Sequence, residues 1–127
     1  MVKRKIMVVD DEKGFTAMLK LNLESTGQYE VRILNDSSQA VETAVQFKPD
    51  LILLDIIMPH YEGPDIAIEL KNNMLLKDIP IVFLTATVTK DEVASQGGAI
   101  GGHPFVAKPS SLAVLLNSIE KNLSAQY

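Results

Sequence analysis

The chain has 127 residues, 46% of them hydrophobic and 22% charged, the length and composition of one globular domain with a core of its own. It contains no cysteine and only two histidines, His60 and His103, which excludes disulfide frameworks, thiolate catalysis, cysteine-held zinc or iron–sulfur centres and a histidine-rich metal site. The formal net charge of −4, with no long basic run, argues against direct nucleic-acid or membrane binding, and the apolar run Ile6–Val9 is too short for a signal peptide or a membrane span, so a cytoplasmic location is the default expectation.

Ile6–Val9 is a bare apolar run and predicts a strand buried on both faces. Lys13 to about Thr26 predicts a helix, with Phe15, Met18, Leu19 and Leu23 as its apolar stripe and Gly27 as the stop. Tyr29–Leu34 alternates, placing Tyr29, Val31 and Ile33 on one face, and predicts an edge strand. A second helix starts after Asp36 or Ser37 as N-cap, buries Ala40, Val41, Ala44 and Val45, and ends before Pro49. Leu51–Leu54 is another bare run and leads straight into Asp55. The third helix has Pro64 in its first turn and carries Ile66, Ala67 and Leu70. Ile81–Leu84 predicts the fourth strand. A fourth helix begins near Thr89-Lys90-Asp91-Glu92, with acids in its first turn, and is interrupted by Gly97, Gly98, Gly101 and Gly102. Phe105–Ala107 predicts the fifth strand. The last helix starts at Ser110 or Ser111 and carries Leu112, Leu115, Leu116, Ile119 and Leu123. Met18, Met58 and Met74 read as packing residues, His60 as a surface residue, and His103 has no assigned role. The alternation of strand and helix implies an α/β fold: a doubly wound, five-stranded parallel sheet with helices on both faces. Residues 1–127 read as a single domain.

In such a sheet all strand tips of one kind lie along one edge, so residues distant in sequence converge. Asp10-Asp11 ends the first strand, Asp55 the third and Thr85-Ala86 the fourth, while Lys108-Pro109 follows the fifth. Clustered carboxylates raise one another's pKa unless a cation compensates, and Lys108 alone cannot neutralise three. A site made only of oxygen donors with access to water suits Mg2+, which completes its shell with waters and phosphate. With a phosphoryl group added, Asp55 becomes the nucleophile that forms an acyl phosphate. The metal, Lys108 and the Thr85 hydroxyl then neutralise the phosphoryl oxygens. Alone, an acidic pair is usually a helix cap, a strand threonine is usually structural and a lysine is usually solvated. Their convergence is what points to chemistry.

These segments resemble the receiver domain of two-component response regulators over essentially the whole chain. Val8-Val9-Asp10-Asp11-Glu12 is similar to the family's acidic motif, and Leu54-Asp55-Ile56-Ile57-Met58-Pro59 with Gly63 to its phosphoacceptor loop. Ile79–Ala86 and Phe105-Val106-Ala107-Lys108-Pro109 resemble its fourth and fifth strands. The resemblance implies the flavodoxin-like strand order 2-1-3-4-5. It implies that Asp55 accepts phosphate from the phosphohistidine of a sensor histidine kinase or a phosphotransfer protein. Asp11, Asp55 and the backbone carbonyl of Ile57 would bind Mg2+ directly and Asp10 through a water. Thr85 and Phe105 would act as switch residues that couple the site to the surface of the fourth helix, fifth strand and last helix. The downstream partner is a protein that the sequence does not name, and the resemblance leaves a homodimer open. Such a chain is a signalling module without an output domain, not a turnover enzyme.

Three other readings compete. A haloacid-dehalogenase-type phosphatase expects a second aspartate two residues after the nucleophile, where this chain has Ile57. A flavodoxin-like cofactor protein expects phosphate-binding amides where Asp10-Asp11 would repel an anion. A degenerate receiver acting as a scaffold would not need Asp10, Asp11, Asp55, Thr85 and Lys108 together. The chain departs from the family pattern in the glycine-rich stretch before Phe105, where His103-Pro104 replaces an acidic pair. That predicts a shortened or mobile fourth helix. Uncharged Ile57 and Thr87 predict a phosphoryl lifetime that is not among the shortest.

Overall fold

Three strands with bare apolar runs form the centre of the molecule, where their buried backbone groups are satisfied by pairing with neighbouring strands. The structure is a computed structural model describing residues 3–56, 63–85, 99–100, 103–107 and 112–124, with Thr85, Ala99 and Ile100 described by their backbone alone. The strands are β1 (Arg4–Val9), β2 (Tyr29–Leu34), β3 (Leu51–Asp55), β4 (Ile81–Thr85), β5 (Ala99–Ile100) and β6 (His103–Ala107). They are ordered β2-β1-β3-β4-β6-β5. The β2-β1-β3-β4-β6 part is parallel throughout, the predicted order of the five long runs. The sequence pattern did not foresee β5, which pairs antiparallel with β6 through Ala99↔Pro104 and Ile100↔His103. Its signal is Gly101-Gly102 between the paired residues, the composition of a two-residue hairpin connection. Pro104 precedes the ladder with β4, which starts at Phe83↔Phe105, so its missing N–H costs that ladder nothing.

Alternation along each strand sorts the core into two layers. Ile6, Val8, Leu51, Leu53, Val82, Leu84 and Val106 face α1 (Lys13–Glu24) and α4 (Leu112–Ser124), which contribute Leu19, Leu23, Leu115, Ile119 and Leu123. Met7, Val9, Ile52, Leu54, Ile81 and Phe83 face α2 (Ala40–Phe47) and α3 (Gly63–Lys71), which contribute Ala40, Ala44, Phe47, Ile66, Ala67 and Leu70. The sheet is therefore wound on both faces, as predicted. β2 alternates buried and exposed residues at its start, as an edge strand should.

The helix stops have local causes. Gly27, at φ +77°, turns the chain after α1. Lys48 takes the left-handed conformation at φ 56° to end α2 ahead of Pro49, its N–H bonding to the Ala44 carbonyl at 2.9 Å. Asp36 caps a 3-10 turn (Ser37–Gln39) that precedes α2 and accepts the Ser38 N–H at 3.0 Å. Val41 and Val45 pack only partly buried, and Phe47 takes the deeper place.

Two packing expectations are corrected. Met18 and Met74 are 52% and 79% exposed. On α1 the position facing inward is Thr16, whose hydroxyl can be buried because its hydrogen bonds are met at Lys13 and Asn35. Met58, His60 and the helix expected near residue 89 lie outside the described residues. No helix among the described residues is long and apolar enough to cross a membrane.

Candidate functional site

Register brings the acidic residues together. Val9 pairs with Leu54 across β1 and β3, so the next residues, Asp10 and Asp55, emerge side by side at the strand tips. Asp55 in turn pairs with Leu84 on β4. Thr85, one residue farther, pairs with Ala107 on β6. The backbone thus sets Asp10, Asp55 and Thr85 at successive tips. Lys108 follows Ala107 directly in sequence, but it, Ile57 and the Thr85 side chain lie outside what is described.

Asp10, Asp11 and Asp55 each offer a carboxylate oxygen, and these atoms all lie within 4.8 Å of one another. Asp10 and Asp55 are buried and Asp11 is exposed. Like charges at about 4 Å repel by about 1 kcal/mol in water and about 4 kcal/mol at the effective dielectric near a protein surface. The cluster is therefore costly unless a cation joins it. Oxygens on one magnesium ion at about 2.1 Å sit about 3 Å apart when adjacent and about 4.2 Å apart when opposite. The spacing and the all-oxygen donor set fit that ion without large rearrangement. Neither aspartate is the α1 cap: that position is Glu12, which makes no side-chain cap bond. Asp10 instead accepts the Glu12 N–H through Oδ1 at 2.9 Å. The ordinary cap reading of the acidic pair is thereby removed.

Gly63 holds α3 against the tip of β3. Its N–H donates to the Ile56 carbonyl at 2.6 Å. A Cβ there would lie 2.3 Å from the Asp55 carbonyl oxygen and 2.9 Å from the Ile56 Cα. Only glycine permits this approach. Phe105 pairs with Phe83 and sits half-buried against the α2–α3 layer of the core.

Two residues the sequence reading passed over, Asn35 and Thr16, belong to the site's frame. The Asn35 side-chain amide donates to the Asp10 main-chain carbonyl at 2.7 Å and to the Thr16 hydroxyl at 3.1 Å. Asn35 directly follows β2, so it lies on the same sheet edge as Asp10. A polar residue just past a strand tip was the available signal. His103 packs edge-on against the Phe83 ring with centroids 5.5 Å apart. Burial, and then the Lys71 ammonium, hold its pKa below the usual histidine value.

Comparison with known proteins decides the family. The model of the response regulator receiver domain matches residues 6–120. The chain belongs to the response regulator receiver domain family. Chemotaxis protein CheY4 of Vibrio cholerae is similar over 95% of this chain and 99% of its own, at 26% identity and a TM-score of 0.82. The signal receiver domain of a signal transduction histidine kinase from Syntrophus aciditrophicus matches 96% of this chain and 91% of its own, at 30% identity and a TM-score of 0.80. The N-terminal domain of the nisin resistance regulator NsrR, a lantibiotic response regulator, matches 96% and 99%, at 31% identity and a TM-score of 0.78. The receiver chain has the flavodoxin-like architecture these relatives share, and the Asp10, Asp11 and Asp55 cluster lies where a receiver's acidic site belongs.

Proposed function

We propose that this receiver is a magnesium-dependent phosphoacceptor whose nucleophile is Asp55. The observation that carries the reading is the convergence of Asp10, Asp11 and Asp55 within 4.8 Å at the strand tips of a chain in this family. A carboxylate oxygen of Asp55 attacks the phosphorus of a phosphohistidine. The P–N bond breaks, the imidazole leaves with the electron pair, and an acyl phosphate remains. Asp11, Asp55 and the Ile57 carbonyl would hold Mg2+, with Asp10 acting through a water. The bound ion supplies charge neutralisation for the three carboxylates and the incoming phosphoryl oxygens. Thr85 and Lys108 would neutralise charge on those oxygens.

The phosphodonor is a sensor histidine kinase or a phosphotransfer protein. The output is a change in the surface around residue 89, β6 and α4, coupled through Thr85 and Phe105, and read by a downstream protein in the cytoplasm. The domain works as a signalling switch, and its chemistry is limited to its own aspartyl phosphorylation and dephosphorylation. Incubation with Mg2+ and acetyl phosphate, followed by intact mass measurement, tests the reading. One phosphoryl addition is expected in the wild type and none in Asp55→Asn. Addition that survives the substitution, or none in the wild type, overturns it.

A further inference from the structure

We propose that Asn35 and Thr16 are positioning residues for the acidic site, fixing the Asp10–Lys13 turn so that its carboxylates stay gathered before any cation arrives. The inference rests on the magnesium-binding reading of that site. Three mutually repelling carboxylates would drive a free turn apart, and Asp11 in particular is exposed and has room to move out. The turn is instead tied to the exit of β2 at two points. The Asp10 N–H donates to the Leu34 carbonyl at 3.0 Å. The Asp10 carbonyl accepts the Asn35 amide at 2.7 Å.

The same amide nitrogen spends its second hydrogen on Thr16 Oγ1 at 3.1 Å. That hydroxyl donates onward to the Lys13 carbonyl at 3.1 Å. The chain Asn35–Thr16–Lys13 therefore reaches both ends of the Asp10–Lys13 turn from one side chain. Its direction is fixed, because a main-chain carbonyl can only accept and the amide nitrogen must face it. Thr16 is 1% exposed, so water does not readily replace either bond. An amide suits the position: it offers two donors and adds no charge beside an acidic trio. A carboxylate of the same shape would supply no donor and would add a further negative charge.

Partners that orient metal ligands typically change metal affinity by about 10-fold or more when removed. The test is a Mg2+ titration of the full chain without phosphodonor, followed by the amide chemical shifts of Asp10–Lys13. Thermal unfolding is measured separately in chelator. Asn35→Ala and Thr16→Val are expected to raise the magnesium dissociation constant about 10-fold, while Thr16→Ser, which keeps the hydroxyl, restores it. If Asn35→Ala does not fold, the Thr16→Val and Thr16→Ser pair decides the matter. Variants that bind Mg2+ as tightly as the wild type, whatever their melting temperature, overturn the proposal while leaving the phosphoacceptor reading standing. Normal magnesium binding without phosphoryl addition defeats only that reading, and a wild type that shows no magnesium response defeats both.

Discussion

At the end of the sheet where the strands begin, the Asp50 carboxylate accepts the Lys5 main-chain N–H at 2.7 Å, and the Asp50 N–H returns a bond to the Lys5 carbonyl at 2.7 Å. The Lys5 ammonium bonds the Phe47 carbonyl at 3.3 Å, and Lys5 and Arg32 lie 5.3 and 4.9 Å from the centroid of the Phe47 ring. The Tyr29 hydroxyl donates to Glu120. Burial first, and then the bond and charge of Glu120, push that hydroxyl well above the ordinary tyrosine range. At the other end, where β1 and β3 finish, Asp10, Asp11 and Asp55 face one another. The first end pairs charge with donors and aromatic faces and so contributes stability. The second gathers like charge, a geometry that a bound cation makes more favourable. One sheet therefore has an end whose charges are paired and an end where three carboxylates converge.

Substitutions can break this contrast, and the largest effect is expected at Gly63. Gly63→Ala places a methyl group 2.3 Å from the Asp55 carbonyl oxygen, which forces backbone to move and costs about 3 kcal/mol. Urea unfolding would show it, and an unchanged midpoint would mean that α3 does not need this close approach. Asp50→Ala removes a charged acceptor from the Lys5 N–H and is expected to cost about 2 kcal/mol by the same measurement. A neutral result would show that water replaces the carboxylate. Asp11→Asn should act in the opposite direction. Relief of repulsion is expected to raise metal-free stability by about 1 kcal/mol at low salt, and the advantage should shrink with salt or added magnesium.

The smallest effect concerns His103, at the start of β6 beside Lys71. Its neutral form is favoured in the fold, so the unfolded chain takes up a proton that the folded chain resists. Stability from this residue is full above about pH 6.5, the ordinary histidine value, and falls as pH drops through the lower folded value. Thermal midpoints measured from pH 8 to pH 5 should decline less in His103→Gln than in the wild type. Equal slopes would count against any contribution from the ring.

The strand runs, their parallel arrangement and the three aspartates were legible from patterns along the chain, while the strand order came with the family resemblance. Bare apolar runs have one stable home, and a charge at the end of such a run demands a partner. Helix 1 was less legible. Met18 matches an apolar stripe in the sequence, but Thr16 takes the buried position once Asn35 is beside it. β5 was not legible because two residues carry no periodicity.

Sequence by itself determined which residues must be inside, that the strands must be parallel, and that Asp10, Asp11 and Asp55 would share one edge. Tertiary structure alone decided their spacing, the glycine contact at Asp55 and the tie from Asn35 to Asp10. The physical reason is range. Burial and strand formation follow from patterns along the chain, whereas a hydrogen bond between residues 25 positions apart exists only once the register of β1 against β2 is fixed.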